Sequence, residues 1–428
     1  MPSAPLPPSS QATAAFRDRD DACPGALRLH SANDGALARV RLPGGVLATD
    51  QAAALGRASL ELGDGDVHLT SRGNVQLRGL DAADGAELAR RLAAAGLLPS
   101  PRHERVRNIV ASPLSGLDGR EHHDVRPWLT ELDGLLCASD TASALSGRFL
   151  FALDDGRGDV AALDADVTLR ATPDEGALLH MEGCGVLRVA AEDGPRSALL
   201  AAEVFLDASG GQAWRAAELP AEIGDLTDTV VRRLVSCGIP VSGPDQTPWP
   251  LAAKPEPEPG IVTAPEGATT LSVLAPLGRI SAAQWATLTT TASRELRLTP
   301  WRGVVLPHSP AALLHGLAAA GLITSPTSAL VGVGACIGHP GCAKAKADVR
   351  ADAAATSTDA AGGGLPVYWS GCERRCGHPR GDHVDMVAGH DGTYQISVHR
   401  AGRTRTVTTH DNPSQRAAAL AAARQDNA

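Results

Sequence analysis

Aromatic residues are scarce in this chain: Phe, Tyr and Trp together make up 3% of 428 residues. Its cores must be packed mainly from Ala, Val and Leu, and a hydrophobic content of 43% is ample for that. Missing as well is any run of about 20 apolar residues, which argues against a membrane-spanning helix. The opening stretch MPSAPLPPSSQATAAF has neither a basic segment nor an apolar one, so it does not read as an export signal. Its Pro, Ser and Ala content predicts a disordered leader over residues 1–22. Excess positive charge is absent too. The net charge is −9 and the pI about 5.9, which disfavours a nucleic-acid binder or any general polyanion binder. Without an export signal the expected location is the reducing cytoplasm, where cysteines more often bind metal or stay free than form disulfides.

What is present begins with length: 428 residues exceed one compact core and predict several domains. The chain also repeats itself. AELARRLAAAGLL (86–98) matches AALLHGLAAAGLI (311–323), both helical patterns stopping at a Gly, the second with Ser309 and Pro310 as its N-cap and first-turn pair. Upstream of each lies a strand-like run, DVHLTSRGNVQL (66–77) and ELRLTPWRGVVL (295–306). Downstream, RNIVASP pairs with VGVGACI, RFLFALDDG with VYWSGC, and DVTLRA with HVDMVAG, in the same order. Two copies of one α/β unit follow. The expected organisation is a small strand–helix unit at 23–100 with a larger α/β domain at 101–241, then a second pair at 269–325 and 326–408. A Pro- and Glu-rich linker at 242–268 separates the copies, and a tail follows at 409–428.

Half of the eight cysteines, Cys336, Cys342, Cys372 and Cys376, sit in two glycine-rich stretches of the second copy, spaced C-x5-C and C-x3-C. A set of four thiolates points to zinc or an iron–sulfur cluster. The C-x5-C arm with Pro-Gly inside it is unusual for a zinc ribbon, and the glycines offer backbone N–H groups to sulfide. VGVGAC lacks the third glycine of a dinucleotide fingerprint. Cys23, Cys137, Cys184 and Cys237 form no pattern and read as structural thiols.

This cysteine spacing in the second half of a duplicated chain resembles the sulfite/nitrite reductase superfamily, over residues from about 23 to 408. The wording of CPGALRLH, LTSRGNVQLRGL, GRFLFALDDGRGDVAALDADV, GCAKAKADVRADA and WSGCERRCG is similar to its precorrin-3B synthase branch. The resemblance implies a mixed α+β and α/β fold. Two pseudo-twofold-related halves each join a ferredoxin-like half-domain to a larger α/β domain, with the pocket between them. It further implies a 4Fe–4S cluster on Cys336, Cys342, Cys372 and Cys376. The implied activity is an O2-dependent monooxygenase that hydroxylates C20 of precorrin-3A and closes a γ-lactone, fed by an external NAD(P)H-linked donor. A mononuclear non-haem iron accompanies the cluster in that branch, and sirohaem belongs only to the alternative, a sulfite or nitrite reductase.

Reductases of the superfamily surround their anion with two arginines and two lysines. The arginines fall on Arg72 and Arg107; the lysine strand reads Arg148-Phe149-Leu150 here. Arg hardly releases a proton and Leu has none to give, which weakens the reductase reading. Precorrin-3A carries several carboxylates, and guanidinium groups bind these in bidentate fashion. Arg72, Arg107 and Arg148 are therefore expected as catalytic and substrate-binding groups, with Arg302 as a further substrate-binding one. Arg374 and Arg375 add positive charge within CERRC. HERVRN, EHHDVRP and LHMEGCG supply histidines and carboxylates for a mononuclear iron, but no spacing picks out a set. A zinc-stabilised, non-catalytic module is the third alternative.

Overall fold

The computed structural model describes residues 23–243, 256–357, 364–379, 381–410 and 412–425; the expected leader and residues 244–255 of the expected linker lie outside the described residues. Among the described residues four five-stranded sheets form two matched pairs.

The first pair is antiparallel throughout. One sheet runs in the order His30–Ala32, Gly35–Val40, Val75–Leu80, Val67–Leu69, Arg279–Ile280. The other runs Gly260–Thr263, Thr269–Leu274, Gly303–Leu306, Glu295–Leu298, Val46–Ala48. The last strand of each sheet comes from the opposite half of the chain: Arg279 pairs with His68, and Leu47 with Leu296. The exchange gives the two small units one apolar core, in which Leu47, Leu55, Val67 and Leu77 pack with Leu271, Ile280, Trp285 and Leu296. Helices Thr49–Leu62 and Ala282–Thr291 meet across this core. Trp285 donates its indole N–H to the Ala52 carbonyl at 2.8 Å. Its ring lies where a Cβ on Gly56 would come within 2.5 Å, so this helix needs glycine at that point.

The second pair mixes directions. Ile109–Ala111, Phe151–Asp154 and Val167–Ala171 are parallel, followed by antiparallel Gly176–Met181 and Leu187–Ala190. Val333–Ala335, Val367–Ser370 and His383–Ala388 repeat that parallel trio, followed by antiparallel Tyr394–Arg400 and Arg403–His410. The first trio is buried under helices Arg126–Ala138 and Gly194–Ser209, the second under Val349–Ser357 and Pro413–Arg424.

Three local details add to the sequence reading. The Pro/Glu-rich stretch ends in a strand, Gly260–Thr263, because Ile261 and Val262 can pair with the Thr269–Leu274 edge. The tail carries a docked helix, Pro413–Arg424, capped by Asn412 Oδ1 and seated by Leu420 and Ala423. Ser309 is not an N-cap; its hydroxyl donates to the Pro307 carbonyl, and the helix begins only at Leu314 after a turn of 3-10 geometry. Among the described residues no helix is long and apolar enough to cross a membrane.

Candidate active site

Two loops separated by thirty residues meet because their strands are neighbours. Val333–Ala335 and Val367–Ser370 are adjacent and parallel, so both chains leave the sheet at the same edge and turn into the cysteine loops. Crevices at the carboxyl ends of parallel strands are where α/β sheets bind ligands. Cys336 donates its N–H to the Trp369 carbonyl at 2.9 Å, and its Sγ accepts the Gly371 N–H at 3.1 Å. Lys346 N–H reaches the Gly371 carbonyl at 2.8 Å and locks the loops together. A Cβ on Gly371 would stand 2.7 Å from that of Ala345, so only glycine permits the approach. Tyr368 donates its hydroxyl to the Cys376 carbonyl at 2.8 Å.

The thiols influence one another's charge. Burial raises the Cys336 thiol above its usual range, the Gly371 and Gly338 N–H groups pull it back, and Cys376 and Cys372 raise it further. Thiols close enough to repel one another as thiolates need a cationic centre to ionise together. Cys336, Cys342 and Cys372 are partly buried and Cys376 is exposed.

The arginines divide. Arg72 lies in the turn after Val67–Leu69, where Thr70 Oγ1 accepts the Asn74 N–H, and its Nη1 donates to the Arg148 carbonyl at 3.0 Å. Burial pulls the Arg72 guanidinium down to about 9, and Arg215 and Arg41 push in the same direction. Arg148 lies over the Trp214 ring at 5.1 Å and 3.7 Å from Glu218. Arg215 is held by Asp166, and Arg41 by the Gly147 carbonyl and Cys23 Sγ. Arg41, Arg72, Arg148 and Arg215 thus gather at one place, although the sequence singled out only two of them.

Arg107 does not join them as a free ligand. Its Nε and Nη2 grip both Asp133 oxygens at 2.7 Å, and the side chain is buried. The fork expected to take a substrate carboxylate is held by Asp133 of the helix Arg126–Ala138. Leu150 is 3% exposed and packs with Val110, Ala152, Val160 and Ala165, against Trp301.

One turn links the arginine group to the cysteine loops. Trp301 packs against the Leu150 cluster, while its neighbour Arg302 donates to the Gly377 carbonyl at 3.2 Å and lies over the Tyr368 ring at 5.5 Å. Arg302 adopts a left-handed backbone, φ 60°, the extra residue of this copy making the turn.

Of the histidine-bearing segments singled out by sequence, HERVRN reaches the arginine group through the Arg105 carbonyl, which accepts from Arg41 Nε at 3.2 Å, while the histidines themselves have other partners. His103 bridges Ser100 and the Ser139 carbonyl, and His123 packs on Trp128. His122 contacts the Ala171 carbonyl, and burial pushes His180 down to about 4. A closer set, His383, Asp385 and His399, comes together on the strands beneath the CERRC loop. Its only sequence signal was the alternation in HVD.

The ferredoxin–nitrite reductase of Synechococcus elongatus is 30% identical over 395 residues, covering 82% of this chain and 76% of that one. The chain belongs to the sulfite/nitrite reductase superfamily. Within it, the model of the nitrite/sulfite reductase ferredoxin-like half domain matches residues 30–95. Precorrin-3B synthase of Sinorhizobium sp is 27% identical over 427 residues, 94% of this chain and 87% of that one. The structure of Mycobacterium tuberculosis NirA shares the fold, with a TM-score of 0.66 at 20% identity, covering 88% of this chain and 77% of that one. The duplicated fold of the superfamily is the arrangement of four matched sheets described above.

Proposed function

We propose that this chain is a precorrin-3B synthase, an O2-dependent monooxygenase that converts precorrin-3A to precorrin-3B by C20 hydroxylation and γ-lactone formation. The observation that carries this reading is Leu150: where reductases of the superfamily hold a lysine, the chain has a buried aliphatic side chain in an apolar cluster. The near-complete alignment with a precorrin-3B synthase supports it.

In this reading Arg72 and Arg148, joined by Arg41 and Arg215, bind acetate and propionate groups on one side of the macrocycle. Arg302 offers a further cation beside the cysteine loop. Trp214 and Trp301 supply flat apolar surface next to those cations. A 4Fe–4S cluster bound by Cys336, Cys342, Cys372 and Cys376 would supply one-electron transfer, and a mononuclear non-haem iron would supply oxygen activation. The reducing equivalents would come from NAD(P)H through a separate cytoplasmic donor. A sirohaem-dependent sulfite or nitrite reductase is the second reading, favoured by the identity to ferredoxin–nitrite reductase.

The test is one absorption spectrum of anaerobically purified protein, with iron and labile sulfide counted on the same sample. Broad cluster absorption without a tetrapyrrole band, iron in excess of sulfide, and conversion of precorrin-3A in O2 are expected. A sharp Soret band from extractable sirohaem would overturn the monooxygenase reading.

A further inference from the structure

The first half of the chain supplies none of the four clustered cysteines, yet it grips the loop between Cys336 and Cys342 at both ends. The grip starts from two adjacent strands, Val67–Leu69 and Val75–Leu80, whose connecting turn carries Arg72. His68 pairs with Gln76 across them, so His68 and Arg78 fall on one face.

Arg78 is 5% exposed, and its Nε and Nη2 take the two Asp34 oxygens at 2.8 Å each. Asp34 thereby fixes the plane of the guanidinium. The same Nη2 donates at 2.9 Å to the carbonyl of Gly341, the residue before Cys342. Beside it, Asn33 Nδ2 donates to the Pro340 carbonyl at 3.0 Å. A Cβ on Gly341 would stand 2.8 Å from Asp34 Oδ2, so glycine lets the loop seat there.

The other end is held through a relay. Arg350 Nε donates to the Cys336 carbonyl at 3.3 Å, and Arg350 Nη1 lies 3.1 Å from His68 Nδ1. A guanidinium has no acceptor, so His68 Nδ1 accepts and its Nε2–H faces Asp64 Oδ2 at 3.3 Å. Burial lowers the pKa of His68, which keeps the ring in this neutral form.

We propose that Arg78 and His68 are positioning residues for the cluster, Arg78 orienting Cys342 through Gly341 and His68 orienting Cys336 through Arg350. The first half thus completes a site whose thiols all come from the second. Outer partners of this kind set how firmly ligands hold a metal centre and, as charges, how readily it takes an electron. The proposal rests on the four-thiol cluster of the proposed function, and it is the same for monooxygenase and reductase.

The test uses the full chain purified anaerobically with its cluster, and follows loss of cluster absorption and labile sulfide after a chelator is added. Arg78→Gln and His68→Leu should each lose the cluster at least about tenfold faster than wild type. His68→Asn keeps an acceptor at the Nδ1 position and should return the rate to near that of wild type. Arg78→Gln should also shift the midpoint potential to a more negative value, because a buried cation is removed. Asn33→Ala, on an exposed residue, is less prone to misfold and should speed the loss by a smaller factor. Leu132→Ala is the control: it opens a cavity in the first large core, away from the loops, and should lower melting without changing the rate. Rates and potential equal to wild type in folded Arg78→Gln and His68→Leu, or equal acceleration in Leu132→Ala, overturn the positioning role. A wild type that carries zinc without iron or labile sulfide overturns the cluster itself, and the proposal with it.

Discussion

Gly371→Ala tests whether the contact between the cysteine loops builds the cluster site. The added Cβ would lie 2.7 Å from the Ala345 Cβ and 3.3 Å from its Cα. Carbon atoms pack best at about 3.5–4.0 Å, so the loops must part by about 1 Å. Neither contacting atom can rotate away, and Gly371 does not use a left-handed φ, so the effect is purely steric. Overpacking of this kind costs about 1–3 kcal/mol. Separation also strains the Gly371 N–H to Cys336 Sγ bond at 3.1 Å, and a hydrogen bond contributes about 0.5–1.5 kcal/mol. A melting point lower by several degrees is expected, since ~1 kcal/mol moves Tm by about 4–8 °C in a domain of this size. Labile sulfide per chain should fall with it. Gly316→Ala is the control: it sits in a helix with open space around its Cβ and should leave both readings unchanged or slightly improved. A Gly371→Ala protein with full sulfide content and unaltered melting would refute the reasoning.

Other outcomes follow from the same geometry. Arg72→Ala and Arg148→Ala should each raise KM for the tetrapyrrole by about ten- to a hundredfold, with melting little changed, as measured by steady-state kinetics and thermal denaturation. Arg107→Ala should do the opposite, lowering stability by about 3 kcal/mol through loss of the Asp133 pair while the folded fraction keeps its KM. Burial, followed by the nearby charge of Asp154, raises Asp159 to about 7. Its folded pKa lies above the unfolded one, so the native state holds more protons and stability falls as pH rises from about 4 to about 7. Asp159→Asn should flatten that decline in denaturant titrations and be the more stable form above pH 7, provided the Ser112 hydrogen bond is kept.

Local chemistry was legible along the chain. The duplicated order of strands and helices and the four cysteines in two glycine-rich loops follow from residue types at fixed spacing, whereas the weight of Leu150 came only from the family resemblance. The turn that carries Arg72 is likewise local, set by Thr70 and Gly73 within a few residues. What the sequence could not decide depends on partners far along the chain. The exchange of Val46–Ala48 and Arg279–Ile280 between the small units requires pairing across more than two hundred residues, for which hydrophobic pattern carries no address. Arg107 was expected at the substrate; only the packing of Arg126–Ala138 brings Asp133 to it. Arg41 and Arg215 joined the arginine group by the same route. His399 is brought opposite His383 by the register of two strands, a property of the folded sheet rather than of either segment. Spacing within a loop fixes which atoms can ligate together, whereas register and packing fix which loops and strands meet.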